Sequence, residues 1–94
     1  MDYYITRGAN EVISVEVQIF CWKCYERVKQ SGIYDYLQVF ELKVTDKGTQ
    51  RIEHRQEVPE YSRGYQLRVI NPINQKIFII EEGEYVTMLL AKEY

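Results

Sequence analysis

Chemistry-bearing side chains are scarce in this sequence, which has one histidine, one tryptophan, two cysteines and two prolines in 94 residues. A single histidine rules out the histidine-rich metal sets. With Cys21 and Cys24 it leaves a zinc site that a carboxylate would have to complete. No G-x-S-x-G elbow, phosphate-cradling glycine loop, H-E-x-x-H helix or EF-hand loop occurs, so the enzymes those patterns mark are not indicated. No catalytic residue, metal ligand or cofactor site is read from the chain, and the expectation is a protein that is not an enzyme. No apolar run approaches the length of a membrane span, and MDYYITRG lacks the basic and then hydrophobic regions of a secretory leader. The expected address is the cytoplasm, where thiols stay reduced. The formal charge is -2 and no Lys/Arg cluster is present, which argues against a nucleic-acid partner, because phosphate backbones are held by clustered cations.

What is present is apolar and aromatic. Nearly half the residues are hydrophobic, 28% are charged and nine are tyrosine. Without a linker, repeat or low-complexity stretch, residues 1–94 read as a single domain. Tyr3 to Thr6 reads as a short strand stopped by Gly8 and Asn10. Ser14 is then a candidate N-cap, Glu16 suits the first turn of a helix, and Arg27 and Lys29 suit its last turn before Ser31-Gly32. Val17, Phe20, Cys21, Cys24 and Val28 recur at helical spacing and define its core stripe, with Ile13 ahead of the cap.

Beyond the helix the period changes to two. Tyr36 to Val44 alternates as a strand, Asp46-Lys47-Gly48 turns the chain back, and Ile52, His54, Gln56 and Val58 share one face of the return. On the opposite face Arg51, Glu53, Arg55 and Glu57 alternate in sign, as a solvated stripe of paired charges does. Pro59 ends that pairing. Tyr65 to Ile70 reads as a strand, Asn71-Pro72 as a break, and Lys76 to Ile80 pairs with Tyr85 to Ala91 across Glu82-Gly83. The fold class is α+β: one amphipathic helix on a strongly curved, mainly antiparallel sheet of about six strands, in the order β-α-β-β-β-β-β.

A flat sheet of that size is about 29 Å wide and one helix about 10 Å across, so the helix leaves apolar sheet uncovered. Curling, a partner or a ligand would cover it. Val15, Ile19 and Trp22 fall on the helix side opposite the core stripe and form the candidate interface, with a second copy or another protein as partner. The alternative is a small-ligand cleft lined by tyrosines, with Gln38, His54, Gln56, Tyr65 and Tyr85 as its polar tips. The Cys21-Trp22-Lys23-Cys24 motif has the spacing of redox dithiols and zinc half-sites, but it lies within the helix. Its cysteines point to the core, so it reads as packing and a thiol or zinc function ranks last. Glu81, Glu82 and Glu84 read as a solvated hairpin tip.

YITRG, the FCW of the helix, YLQVFEL, QEVPEY and IFIIEEGEYVTMLLAKEY together resemble a family of small bacterial proteins catalogued as a domain of unknown function. The resemblance spans nearly the whole chain. Phe20 and Trp22 match the family's aromatic pair, while Cys21 and Cys24 stand where relatives are expected to carry Leu or Met, which argues against a thiol function. The resemblance implies a small regulatory or inhibitory interaction protein. The stretch EEGEYVTMLL also resembles the terminal hairpin of small-molecule effector-binding domains.

Overall fold

The computed structural model describes residues 1–94. The chain forms β1 (Asp2–Ile5), α1 (Arg7–Val12), α2 (Val15–Gln30), β2 (Leu37–Val44), β3 (Gln50–Gln56), β4 (Tyr61–Leu67), β5 (Gln75–Glu82) and β6 (Tyr85–Leu90), closed by a 3-10 turn at Ala91–Glu93. The strands make one sheet in the order β1-β6-β5-β2-β3-β4, antiparallel throughout except for β1 against β6. The fold is α+β, as the alternation predicts, with two helices instead of one.

The additional helix is α1, in the segment that Gly8 and Asn10 mark as irregular. Thr6 caps it, its hydroxyl accepting from the Ala9 amide at 3.1 Å, and Ala9 is fully buried. Gly8 is tolerated because Glu93 packs where its Cβ would be. The Glu93 carboxylate also accepts from Thr6 Oγ1 and the Leu90 amide, both at 2.8 Å. A close approach between the two ends of the chain therefore outweighs the weak helix propensity of glycine.

α2 follows its sequence signals, with Ser14 at the N-cap position, Glu16 in the first turn and Arg27 and Lys29 in the last. Val17, Cys21, Cys24, Tyr25 and Val28 are its buried residues. All but Val28 pack with Phe40, Leu42, Ile52, Ile77, Ile79, Val86, Met88 and Leu90, the inward positions of β2, β3, β5 and β6. Phe20, expected in the stripe, is half-buried and meets Tyr65 edge-on at 4.9 Å. Full burial of each large apolar side chain contributes about 1.5–3 kcal/mol, so this layer is the main source of stability.

The β2–β3 hairpin pairs Val44 with Gln50, and β5 pairs with β6 across Gly83, whose φ of 61° suits glycine. The expected Tyr65–Ile70 strand is displaced. Pairing resumes at Tyr61, opposite Gln56, and ends at Leu67, leaving Ile70 exposed. Pro59 sits in a four-residue turn, so the break it imposes is short. Residues 68–74 then cross below β3 and β2, because β5 inserts between β6 and β2. Buried Gln50 holds this crossing: its Nε2 donates to the Ile73 and Lys43 carbonyls and its Oε1 accepts from the Ile73 amide.

On the sheet face away from the helices, Val39 and Ile80 are buried, Tyr94 meets Phe78 edge-on at 5.7 Å, and Tyr4 and Tyr85 remain exposed. Arg55 pairs with Glu41 and Glu53 at 3.5 and 3.4 Å on this face, as the alternating charge stripe predicts. No helix is long and apolar enough to cross a membrane.

Candidate functional site

The buried stripe of α2 faces the sheet, so its two flanks overlook opposite sheet edges. On the β1 flank, Trp22 is half-buried, its ring edge-on to Tyr3 at 5.0 Å and to Tyr25 at 6.1 Å. This ring packs within its own chain, which amends the expectation of a free anchor. Val15 and Ile19 remain 66% and 49% exposed, and Val12 of α1 is 45% exposed. Val12 and Val15 share the wall of one shallow depression with Ile73.

Three of the five expected cleft residues come together. Gln38, His54 and Gln56 are buried and form a chain: His54 Nε2 lies 2.6 Å from Gln38 Oε1, and Gln38 Nε2 donates to Gln56 Oε1 at 2.7 Å. Gln38 Nε2 also donates to the Asp35 carbonyl, Gln56 Nε2 donates to the Pro59 carbonyl, and the Asp35 amide donates to Gln56 Oε1. Because the Gln38 amide nitrogen is committed as donor, its oxygen must accept, and the neutral imidazole carries its proton on Nε2. His54 Nδ1 is then a buried acceptor without a partner. A second proton placed there would have no acceptor, and burial, aided by the Arg27 cation, holds His54 down to about 4. Its ring stacks on Phe40 at 4.4 Å and meets Tyr61 edge-on at 5.3 Å. The arrangement is a closed polar network in place of an open pocket.

The other two residues lie outside that network. Tyr65 belongs to β4 on the same face, while Tyr85 stands at the far side of the sheet on the opposite face, edge-on to Tyr4 at 6.0 Å. Period-two reading places Tyr85 on a strand but gives no strand order, and β5 and β2 separate β6 from β3.

An open cleft of about 310 Å³ lies instead beside the network, between the end of α2 and the β3–β4 turn. Arg27, Val28, Ser31, Ile33, Pro59 and Tyr61 line it, with Gln56 on its floor and Glu60 and Arg63 completing it. Arg27 Nη1 donates to Tyr65 Oη at 3.1 Å, and the Arg63 guanidinium lies 5.5 Å from the same ring. Burial and the neighbouring Cys24 raise Tyr65 to about 12, so it remains a neutral phenol. Arg27 reads from sequence only as a partner for the helix dipole, and nothing local to residues 61–67 signals that Arg63 lines the same cleft.

The cysteines are buried and unpaired with each other. Burial pushes both thiols up; the Coulomb field of Cys24 adds to this at Cys21, whereas Tyr65, Arg27 and Arg63 partly oppose it at Cys24. A reactive dithiol needs the opposite shift. Glu81 corrects the reading of a solvated acidic tip. It accepts from Tyr25 Oη, from Tyr34 Oη at 2.6 Å, and pairs with Lys29 at 3.3 Å. Burial works to raise its carboxyl, but these hydrogen bonds and the ammonium charge hold it below its ordinary value. The signal was available, since Ile77, Ile79 and Glu81 share strand parity.

No curated protein matches the chain. Among solved structures it is similar to the crystal structure of a protein of unknown function from Enterococcus faecalis, with a TM-score of 0.77 at 19% identity, covering 99% of this chain and 90% of that one. At that identity the likeness supports the fold. The model of the family described as "Staphylococcal protein of unknown function (DUF960)" matches residues 2–93, and the chain belongs to that family.

Proposed function

We propose that this chain is a non-enzymatic protein-interaction module, acting in the cytoplasm through the apolar flank formed by Val12, Val15, Ile19 and the outer edge of Trp22. The observation that carries the reading is the exposure of Val12, Val15 and Ile19 on the two helices, with Val12 and Val15 lining one depression. Contiguous apolar side chains on a helix flank are the material of an interface core. A standard interface takes about 800 Å² per partner, roughly an eighth of the 5981 Å² surface of this chain. Trp22 supports the surface from beneath by packing on Tyr3 and Tyr25. The neutral His54 and high thiols favour a binding role over acid-base or nucleophilic catalysis.

Light scattering across a concentration series, with wild type compared to Val15→Glu and Ile19→Glu, tests self-association. A photo-activatable residue at position 19 traps any other neighbour in cells. The reading expects either a dimer that the charged variants dissociate or a discrete cross-linked protein that they abolish. A wild-type monomer at high concentration that traps nothing would overturn it.

A further inference from the structure

We infer that the cleft between the end of α2 and the β3–β4 turn binds a small organic acid, its carboxylate held by Arg27 and Arg63 and its apolar body resting on Val28, Ile33, Pro59 and Tyr61. This site lies on the opposite flank of α2 from the proposed protein interface and stands independently of it.

Charge gives the first reason. The ion pairs of the protein are Lys29–Glu81, Arg55–Glu41 and Arg55–Glu53, so neither cleft guanidinium has a carboxylate partner. Glu60 is the only acid in the lining, and two cations against one anion leave the cleft at +1 in a chain whose formal charge is -2. A planar guanidinium fork matches a carboxylate in geometry and charge. Both forks are steadied by one ring, Arg27 through its bond to Tyr65 Oη and Arg63 over the Tyr65 face. Less ordering is then needed when an anion arrives.

Shape and composition give the second. Val28 and Gln56 are buried and close the floor, and Ile33 and Pro59 form an exposed apolar rim. The amide of Gln56 is already committed to Gln38, Asp35 and Pro59. The floor therefore offers few free polar groups beyond the arginines, which suits one charged end on an apolar body. A volume of about 310 Å³ is at the small end for ligand sites and fits a single-ring acid better than a nucleotide. A larger depression of about 710 Å³ beside the β2–β3 turn also carries cations, Lys47 and Arg68, but Leu67 and Val69 are its only apolar walls.

Benzoate is the probe. Amide chemical shifts are followed during its titration, with inorganic phosphate and sodium chloride at matched ionic strength as comparisons. The expected result is saturable binding with a Kd on the order of 1 mM, shifts centred on residues 27, 31 and 60–63, and weakening of roughly tenfold or more in Arg27→Gln and Arg63→Gln. Both arginines are exposed, and unchanged Trp22 fluorescence verifies that the variants fold. Absence of saturation by benzoate, equal binding by both arginine variants, or phosphate binding as tightly as benzoate would each overturn the assignment.

Discussion

The buried imidazole of His54 makes stability depend on pH in a defined window. His54 is fully buried and lies at about 4 instead of 6.5, chiefly through desolvation and secondarily through Arg27. Below pH 6.5 the unfolded chain takes up a proton that the folded chain refuses, so stability falls as the pH drops. The fall ends near pH 4, where the folded imidazole also protonates. Relative to pH 8, the loss from this one group works out at about 2 kcal/mol at pH 5 and about 3 kcal/mol at pH 4. Urea unfolding at fixed pH values measures it. The control is His54→Gln, whose amide nitrogen can still donate to Gln38 Oε1 but cannot titrate. The difference between wild type and variant, each referenced to its own value at pH 8, removes the carboxylate contribution common to both. Parallel curves from pH 8 to 5, or a His54 resonance titrating near 6.5 in the folded protein, would refute the placement of a buried, unpartnered Nδ1.

Three further outcomes follow from the same contacts. Gln50→Leu leaves the Ile73 amide and carbonyl unpaired, so it should cost about 2–4 kcal/mol and open residues 68–74 to limited proteolysis, read by denaturation and cleavage mapping. The native thiols should resist an aromatic disulfide reagent at pH 8 and react fully in urea, because burial raises both; rapid native reaction at either cysteine would contradict their placement. Glu81→Gln removes the anion that accepts from Tyr25, Tyr34 and Lys29 and sets an amide donor among donors, so it should destabilise by about 2–3 kcal/mol in denaturant titrations, with the phenol of Tyr34, now about 12, returning toward 10.

The parts legible in sequence are those whose signal is local. α2 announces itself through Ser14, Glu16, the apolar stripe and its basic last turn, and the β2–β3 and β5–β6 hairpins through alternation interrupted by turn residues. Parity alone grouped His54 and Gln56 on one face. What escaped depends on distant partners. α1 forms around Gly8 because Glu93 packs against it, and no local rule anticipates a contact 85 residues away. β4 starts at Tyr61 because β3 is waiting as a template immediately after the turn containing Pro59. Arg27 and Arg63 look like ordinary surface cations until strand order brings both to Tyr65, Arg27 at its hydroxyl and Arg63 over its ring.

The Gln38–His54–Gln56 network has a structural consequence for that cleft. An apolar triad could fill the same volume and is the cheaper way to build a core, since polar burial is costly unless every hydrogen bond is made. Here the amides reach outward from the core to the loops: Gln38 to the Asp35 carbonyl, and Gln56 to the Asp35 amide and the Pro59 carbonyl. Asp35 in turn accepts from the Val58 amide at 3.1 Å. Leucines at 38 and 56 would leave these backbone groups unpaired and leave the Val58 amide's bond to Asp35 to tie the β3–β4 turn to the segment that follows α2. The polar core therefore fixes two loops relative to one another, and Ile33, Pro59 and Tyr61, which wall the cleft, lie on or beside those loops. A network that contributes little to stability compared with the apolar layer can still determine the shape of the cleft in which two unpaired guanidinium groups face an apolar wall.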